Sequence, residues 1–172
     1  MISREPAKDE KTQIYRALNK WGVFEYFRYK PLIIQKIDKI KLVCVVTYAL
    51  QEAVTITDPY HAGLAIGQLR KQFMPSIAGA DLFARHAKKN KYYIVVNERA
   101  ENLALYGRDV MGESIVEASE SLHQNELVIL LNRRFEAIAI GRTRFGGKLL
   151  FQTGKATISN LADAGYYLRK EG

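Results

Sequence analysis

Two apolar runs, Glu126–Leu131 (ELVILL) and Ala137–Gly141 (AIAIG), are separated by a short polar step, and this spacing constrains the chain more than any other feature. Each run is short and dense in aliphatic residues, as a strand is, and the step between them is turn-like. The pair predicts a β-hairpin whose turn is Asn132–Arg133–Arg134–Phe135. Its second strand continues into RTRF. Alternation then sends Arg142 and Arg144 to one face and Thr143 and Phe145 to the other. Lys148 and Lys155 follow within a dozen residues. Guanidinium groups so placed can fork onto phosphates, with Phe135 or Phe145 as a stacking surface for an unpaired base. The same spacing also suits a solvated strand face whose arginines keep an edge from aggregating.

Around this hairpin the chain divides by pattern. AKDEKTQIYRALNKWG, after Pro6, predicts a helix with acids early, Ile14, Leu18 and Trp21 on one face, and Gly22 as its stop. The territory from FEYFRY through PLIIQKIDKIK and LVCVVTYAL to AVTIT reads as strand-rich, closed by Asp58–Pro59. Within it Tyr26, Phe27, Arg28, Tyr29 and Lys30 form a mixed aromatic and basic stretch whose alternation favours core packing over base binding. HAGLAIGQLR is strand-like, with Gly63 and Gly67 marking a bulge or close approach. Ser76 is placed to cap a helix over SIAGADLFARHAKKN, with its basic residues in the last turn. The KKNK run at 88–91 is the boundary, giving an N-terminal domain over 1–90 and a second domain over 91–172. In the second half KYYIVVN, GESIVEAS, ELVILLN, EAIAIGRTRF and KLLFQT predict strands. ERAENLALYG predicts a short helix, and ISNLADAGYYLRK a closing one. Gly107 is expected to cap the short helix in the left-handed conformation, and Gly112 to bend the backbone into the next strand. Arg108 and Asp109 after it suit a surface pair.

Charge adds direction. The 172 residues carry a net charge of +8, which suits a polyanionic partner, although basic proteins can also be merely well solvated. The charge is segregated. Residues 91–126 hold three Lys/Arg against seven Asp/Glu, whereas residues 127–172 hold eight against three and residues 1–41 hold ten against five. An acidic band between two basic regions favours a directed binding face. The longest apolar run, Leu42–Leu50, is too short for a membrane helix, and the charged MISREPAKDEK start lacks a signal stretch. A lone Cys44 inside that run reads as a small buried hydrophobe, so a cytoplasmic protein without membrane contact is expected.

Catalytic patterns fail on inspection. Gly147–Lys148 and Gly154–Lys155 lack the following Ser/Thr of a phosphate loop, and Arg142 and Leu149 stand where its first glycine belongs. His61, His86 and His123 are scattered, so no metal site or cofactor is legible. Ser119, Ser121, His123 and Asp163 could be drawn as a triad, yet no nucleophile elbow flanks either serine. A non-enzyme is expected.

Three stretches carry a resemblance. KYYIVVNERAENLALYGRDVMGESI with its Tyr106–Gly107 pair, the LVILLNRRFEAIAIG hairpin, and the Asn160, Leu161, Asp163, Gly165, Leu168 pattern together resemble a PUA domain, the small pseudo-barrel that binds structured RNA. The second glycine expected after AIAIG is absent. GLAIGQLRKQFMPSIAGADLFARHAKKNKYYIVV, running into that unit, resembles the archaeal and eukaryotic Nip-seven family of large-subunit ribosome-biogenesis factors. The resemblance implies an α+β protein: an N-terminal α/β domain of antiparallel sheet and helices, then a PUA pseudo-barrel of mixed β-sheet. It implies a non-catalytic assembly factor, a monomer acting on pre-rRNA (uridine-rich or structured) beside other ribosome-assembly or RNA-processing proteins. Relatives of that kind carry several basic residues around the start of the last helix, where Lys155–Ala162 keeps only Lys155. Either RNA affinity is reduced, or, as expected here from the charges on the preceding strands, the RNA surface shifts to Arg133, Arg134, Arg142, Arg144 and Lys148, with Lys155 and Arg108 beside it. Two other readings stay open: a protein–protein adaptor with a PUA fold, and the detached RNA-binding subunit of a tRNA-modifying enzyme.

Overall fold

The computed structural model describes residues 2–57, 59, 61–88 and 90–166. It separates into two compact units, Met1–Lys88 and Lys89–Gly172.

In the first unit the pattern of Ile14, Leu18 and Trp21 forms helix α1 (Lys8–Lys20), all three side chains at 1 % exposure or less. The sheet is antiparallel throughout, in the order β1 (Ile2–Arg4), β2 (Leu32–Ile37), β3 (Ile40–Val45), β4 (Leu64–Leu69), β5 (Phe73–Pro75). The register of β3 with β4 slips by one residue between Val43 and Cys44, beside Gly67, as the glycine placement anticipates. Helix α4 (Ile77–His86) begins at Ser76, whose Oγ accepts from Gly79 N at 2.9 Å and donates to the Ala65 carbonyl at 2.6 Å. Phe27 and Phe83 meet edge to face in the core, 5.6 Å apart. Cys44 is buried and its thiol donates to Gln35 Oε1 at 3.6 Å, with burial pushing its pKa up to about 11.

Buried beneath β1 is one carboxylate. Glu10 Oε1 and Oε2 accept a fork from Arg4 at 2.8 and 2.7 Å, Oε1 also accepts from Lys41 Nζ at 2.8 Å, and Oε2 from Ala7 N at 2.9 Å. These partners, the Arg4 fork first, hold its pKa down at about 2 against the opposing effect of burial.

Two segments differ from the strand-rich expectation. FEYF is a single helical turn, α2 (Phe24–Phe27), and AVTIT lies inside helix α3 (Tyr48–Thr57). In α3 Leu50 and Val54 are four apart and pack together against the sheet as an i,i+4 pair, so the β-branched residues are overruled by the core they reach.

The second unit is a mixed sheet in the order β7-β11-β10-β9-β6-β8: β7 (Val110–Met111), β11 (Ala156–Asp163), β10 (Ala137–Thr143), β9 (Leu127–Leu131), β6 (Tyr93–Val96) and β8 (Ile115–Glu117). Only the β6–β9 pairing is parallel. The hairpin of the apolar runs forms as expected, and every residue of β9 is buried because it lies inside the sheet. Its turn is organised by Asn132, 2 % exposed, whose Oδ1 accepts from Arg134 N and Glu136 N at 3.0 Å each, while Nδ2 donates to Glu101 and Glu136. Helix α5 (Glu98–Leu105), capped by Asn97, ends where expected. Gly107 has φ 76°, and the amides of Gly107 and Arg108 close back on the Ala104 and Leu103 carbonyls.

Here too, expectations are revised. KLLFQT is a 3-10 turn (Gly147–Phe151), entered through Gly147 at φ 58°, with only Leu150 of its side chains buried. The start of the expected closing helix is strand β11, and residues 167–172, including Leu168, lie outside the described residues. β11 carries a bulge: Gly141 pairs with Asn160 and Ile140 with Ala162, so Leu161 has no opposite number. Gly112 opens the 3-10 turn Gly112–Ser114 that carries the chain from β7 into β8, and space as well as bending calls for a glycine there. A Cβ there would stand 2.3 Å from the Gln152 carbonyl oxygen and 2.8 Å from that of Leu150, so two chain segments pass too closely for any side chain.

Candidate nucleic-acid interface

The seven candidate cations fall into separate places. Arg108, Arg142, Arg144 and Lys155 gather at the end of the sheet where β7, β11 and β10 run side by side. Arg133 and Arg134 sit in the hairpin turn at the other end of β10, about 20 Å away along the strand at the usual rise. Lys148 rides on the 3-10 turn that starts at Gly147, whose amide donates to the Leu122 carbonyl at 2.9 Å.

At the gathered end the arginines are already oriented. Arg144 Nε donates to Ser159 Oγ at 2.7 Å, and its Nη2 forms a short charged bond to Asp109 Oδ2. Asp109 therefore pairs with Arg144, not with its sequence neighbour Arg108. The other carboxylate oxygen of Asp109 accepts from Asn160 N at 2.9 Å, and Asn160 Nδ2 donates to the carbonyls of Ala104 at 2.9 Å and Arg108 at 3.2 Å. Helix α5, the Gly107–Asp109 loop and β11 are tied together by one asparagine and one aspartate. Arg108 stays exposed at the rim of that tie. Lys155 Nζ lies 5.9 Å from the centre of the Phe145 ring, so a cation and a half-buried aromatic face stand together on the adjoining loop. That loop is itself pinned, with Gly154 N donating to Glu113 and Gly112 N to the Lys155 carbonyl.

Arg142 and Arg144 do alternate with buried Thr143, as read from sequence, but their guanidinium groups part sideways. Arg142 reaches the Asn125 carbonyl at 3.1 Å on the β9 side, whereas Arg144 reaches the β11 side. At the turn, Arg134 is held by Glu136 at 3.0 Å, and Arg133 and Phe135 are exposed. The residues that position the site, Asp109, Ser159 and Asn160, were not candidates. Asn160 belongs to a recognisable pattern, but nothing in sequence links it to a loop some fifty residues earlier. Among the described residues, no group of three or more His, Cys, Asp or Glu could hold a metal ion, and no helix is long and apolar enough to cross a membrane.

Comparisons with known proteins bear on both units. The model of the UPF0113 PUA domain matches residues 92–172, and that of the NIP7/UPF0113 pre-PUA domain matches residues 3–77. A UPF0113 protein of Archaeoglobus fulgidus is 32% identical over 173 residues, covering 99% of this chain and 97% of that one. A tRNA-guanine(15) transglycosylase of Methanocaldococcus jannaschii is 35% identical over 74 residues, 43% of this chain but 11% of the enzyme. Among solved structures, a hypothetical protein of Pyrococcus horikoshii OT3 superposes with a TM-score of 0.71 at 19% identity over 95% of each chain. A PUA domain protein from Thermoplasma acidophilum does so at 0.69 and 14% identity over 99% of each chain. At these identities the superpositions establish the fold alone.

Proposed function

The chain belongs to the NIP7/UPF0113 family, and from that premise we propose that it is a non-catalytic RNA-binding assembly factor acting on large-subunit pre-rRNA. Residues 91–172 form its RNA-binding domain. The observation that carries this reading is the placement of Arg142, Arg144 and Lys155, with Phe145, where β10 ends and β11 begins, Arg108 standing on the loop that enters β7. Cations there meet phosphates, and the aromatic face takes an unpaired base. The Asp109–Asn160 tie sets the loop before RNA arrives, so little ordering cost falls on binding. Arg133 and Arg134 extend the surface only for an RNA long enough to run the length of β10. The partners we assign are pre-rRNA and other ribosome-assembly proteins, met by a cytoplasmic monomer.

A second reading, the RNA-binding subunit of a tRNA-modifying enzyme, has one specific support, the partial similarity to the tRNA-guanine(15) transglycosylase. The end-to-end similarity to the UPF0113 protein favours the first.

Crosslinking the tagged protein to RNA in cells and sequencing what is bound separates the two. Enrichment of large-subunit pre-rRNA is expected. Enrichment of tRNA overturns the first reading in favour of the second. In vitro, Arg142, Arg144 and Lys155 replaced together by Ala are expected to weaken RNA binding about 100-fold, at about 1 kcal/mol for each screened contact. No RNA binding by the unaltered protein, with function in cells left intact by that triple replacement, supports the adaptor reading instead.

A further inference from the structure

The aromatic and basic stretch of the first unit does not pack as its alternation suggests. Because FEYF is a helical turn, Phe27 alone goes to the core at 0 % exposure, while Tyr26 is half-buried and Tyr29 is 71 % exposed. Tyr48, at the start of α3, is 67 % exposed and donates its hydroxyl to the Tyr29 carbonyl at 2.7 Å. The two rings therefore form one tied ridge. A hollow opens on each side of it. One, of about 650 Å³, has Val45, Val46 and Leu64 among its lining and Tyr26 at its edge; the other, of about 300 Å³, is lined in part by Lys11 and Arg28.

Cations stand over the aromatic faces. The Arg28 guanidinium carbon lies 4.6 Å from the Tyr29 ring centre, and Lys30 Nζ lies 4.4 Å from that of Tyr26. Tyr26 is held in place from behind by stacking on His86 at 3.7 Å. Residues 1–88 carry fourteen Lys/Arg against eight Asp/Glu, so the surroundings favour an anion. Exposed flat rings with a polar tip, cations against one face and hollows of small-ligand size are what splayed bases and their phosphates need. A folded protein partner needs a continuous face of about 800 Å² instead, which two separate hollows do not offer.

We propose that the Tyr29–Tyr48 ridge is a second RNA contact, a stacking site for one or two unpaired bases whose phosphates meet Arg28 and Lys30. It extends the RNA-binding reading given above from the second unit to the first, and it rests on that reading.

The test uses the full chain and two labelled probes, a stem-loop RNA and a single-stranded oligouridylate of about 12 nucleotides. Tyr29→Ala is expected to weaken oligouridylate binding about 5- to 100-fold, and Tyr29→Trp to preserve it. Tyr29 is exposed enough that the melting temperature should not move, and Tyr48→Ala gives an independent second variant. If both alanine variants bind oligouridylate as the wild type does, while the Arg142, Arg144 and Lys155 triple variant loses the stem-loop, the ridge proposal fails and the proposed function stands. If the unaltered protein binds neither probe, both fail. Loss of a bound protein with oligouridylate affinity intact also overturns the proposal and makes the ridge a protein-docking site.

Discussion

The salt dependence of RNA binding separates a compact footprint from a diffuse one. Four cations, Arg108, Arg142, Arg144 and Lys155, share one end of the second unit's sheet, whereas Arg133, Arg134 and Lys148 stand elsewhere. For a short stem-loop that covers only the gathered end, four phosphates are neutralised. The slope of log affinity against log salt is then about −3.6, which between 50 and 200 mM salt is a fall of about 150-fold. This is an upper figure, since Asp109 already offsets part of the Arg144 charge. All seven candidates acting together give a slope of about −6 and a fall of about 6,000-fold over the same range. Fluorescence anisotropy titrations of a short stem-loop at several salt concentrations measure the slope. Arg144→Ala should reduce its magnitude by about 0.9, and Arg134→Ala should leave it unchanged. A slope near −6 for the short probe, or equal effects of Arg134→Ala and Arg144→Ala, would refute the division of the surface into two ends.

Two further outcomes follow from packing and from charge. Gly112→Ala pushes a methyl group onto the backbone of Leu150 and Gln152 and is expected to cost about 2–3 kcal/mol, lowering the melting temperature by about 10 °C or more, whereas Gly154→Ala, at φ +74° with open space around it, costs only the left-handed strain of about 1–2 kcal/mol; calorimetry on both variants checks the order. Glu10, whose folded pKa of about 2 lies below its unfolded value near 4.5, contributes stability that is complete above pH 4.5 and lost as pH falls towards 2; because Arg4 and Lys41 are each about 40% exposed, the contribution is about 1–2 kcal/mol, so Glu10→Gln should destabilise at pH 7 and converge with the wild type near pH 2, as denaturant titrations at both pH values will show.

Local signals carried much of the fold. Helix α1, the Ser76-capped α4, the Asn132 turn and the Gly107 cap are each written in neighbouring residues, and each stands where its pattern placed it. Failures came where distant contacts decide. The α3 segment contains AVTIT, a strand pattern, yet Leu50 and Val54 find a buried neighbourhood only as a helix. In β11 Ile158 and Leu161 stand three apart in sequence, as on a helix face, yet the strand buries Ile158 and the bulge leaves Leu161 unpaired and exposed. The candidate surface was legible as a set of cations and illegible as a place. Alternation put Arg142 and Arg144 on one face, but only the Asn125 carbonyl and the Asp109–Ser159 pair reveal that they part.

Strand β11 lies between β7 and β10, and the sheet is thus completed by the last strand among the described residues. Until residues 156–163 are in place, β7 has no neighbour on the sheet and the Gly107–Asp109 loop has no Asn160 to hold it. The loop-closure cost of joining segments some fifty residues apart must be met before those contacts form, so this end of the sheet is assembled late in folding. A nascent chain that stops short of β11 carries its arginines without the scaffold that aims them. A break within residues 156–163 therefore undoes more than one strand, since it also releases the Gly107–Asp109 loop and the Arg144 side chain that Ser159 holds.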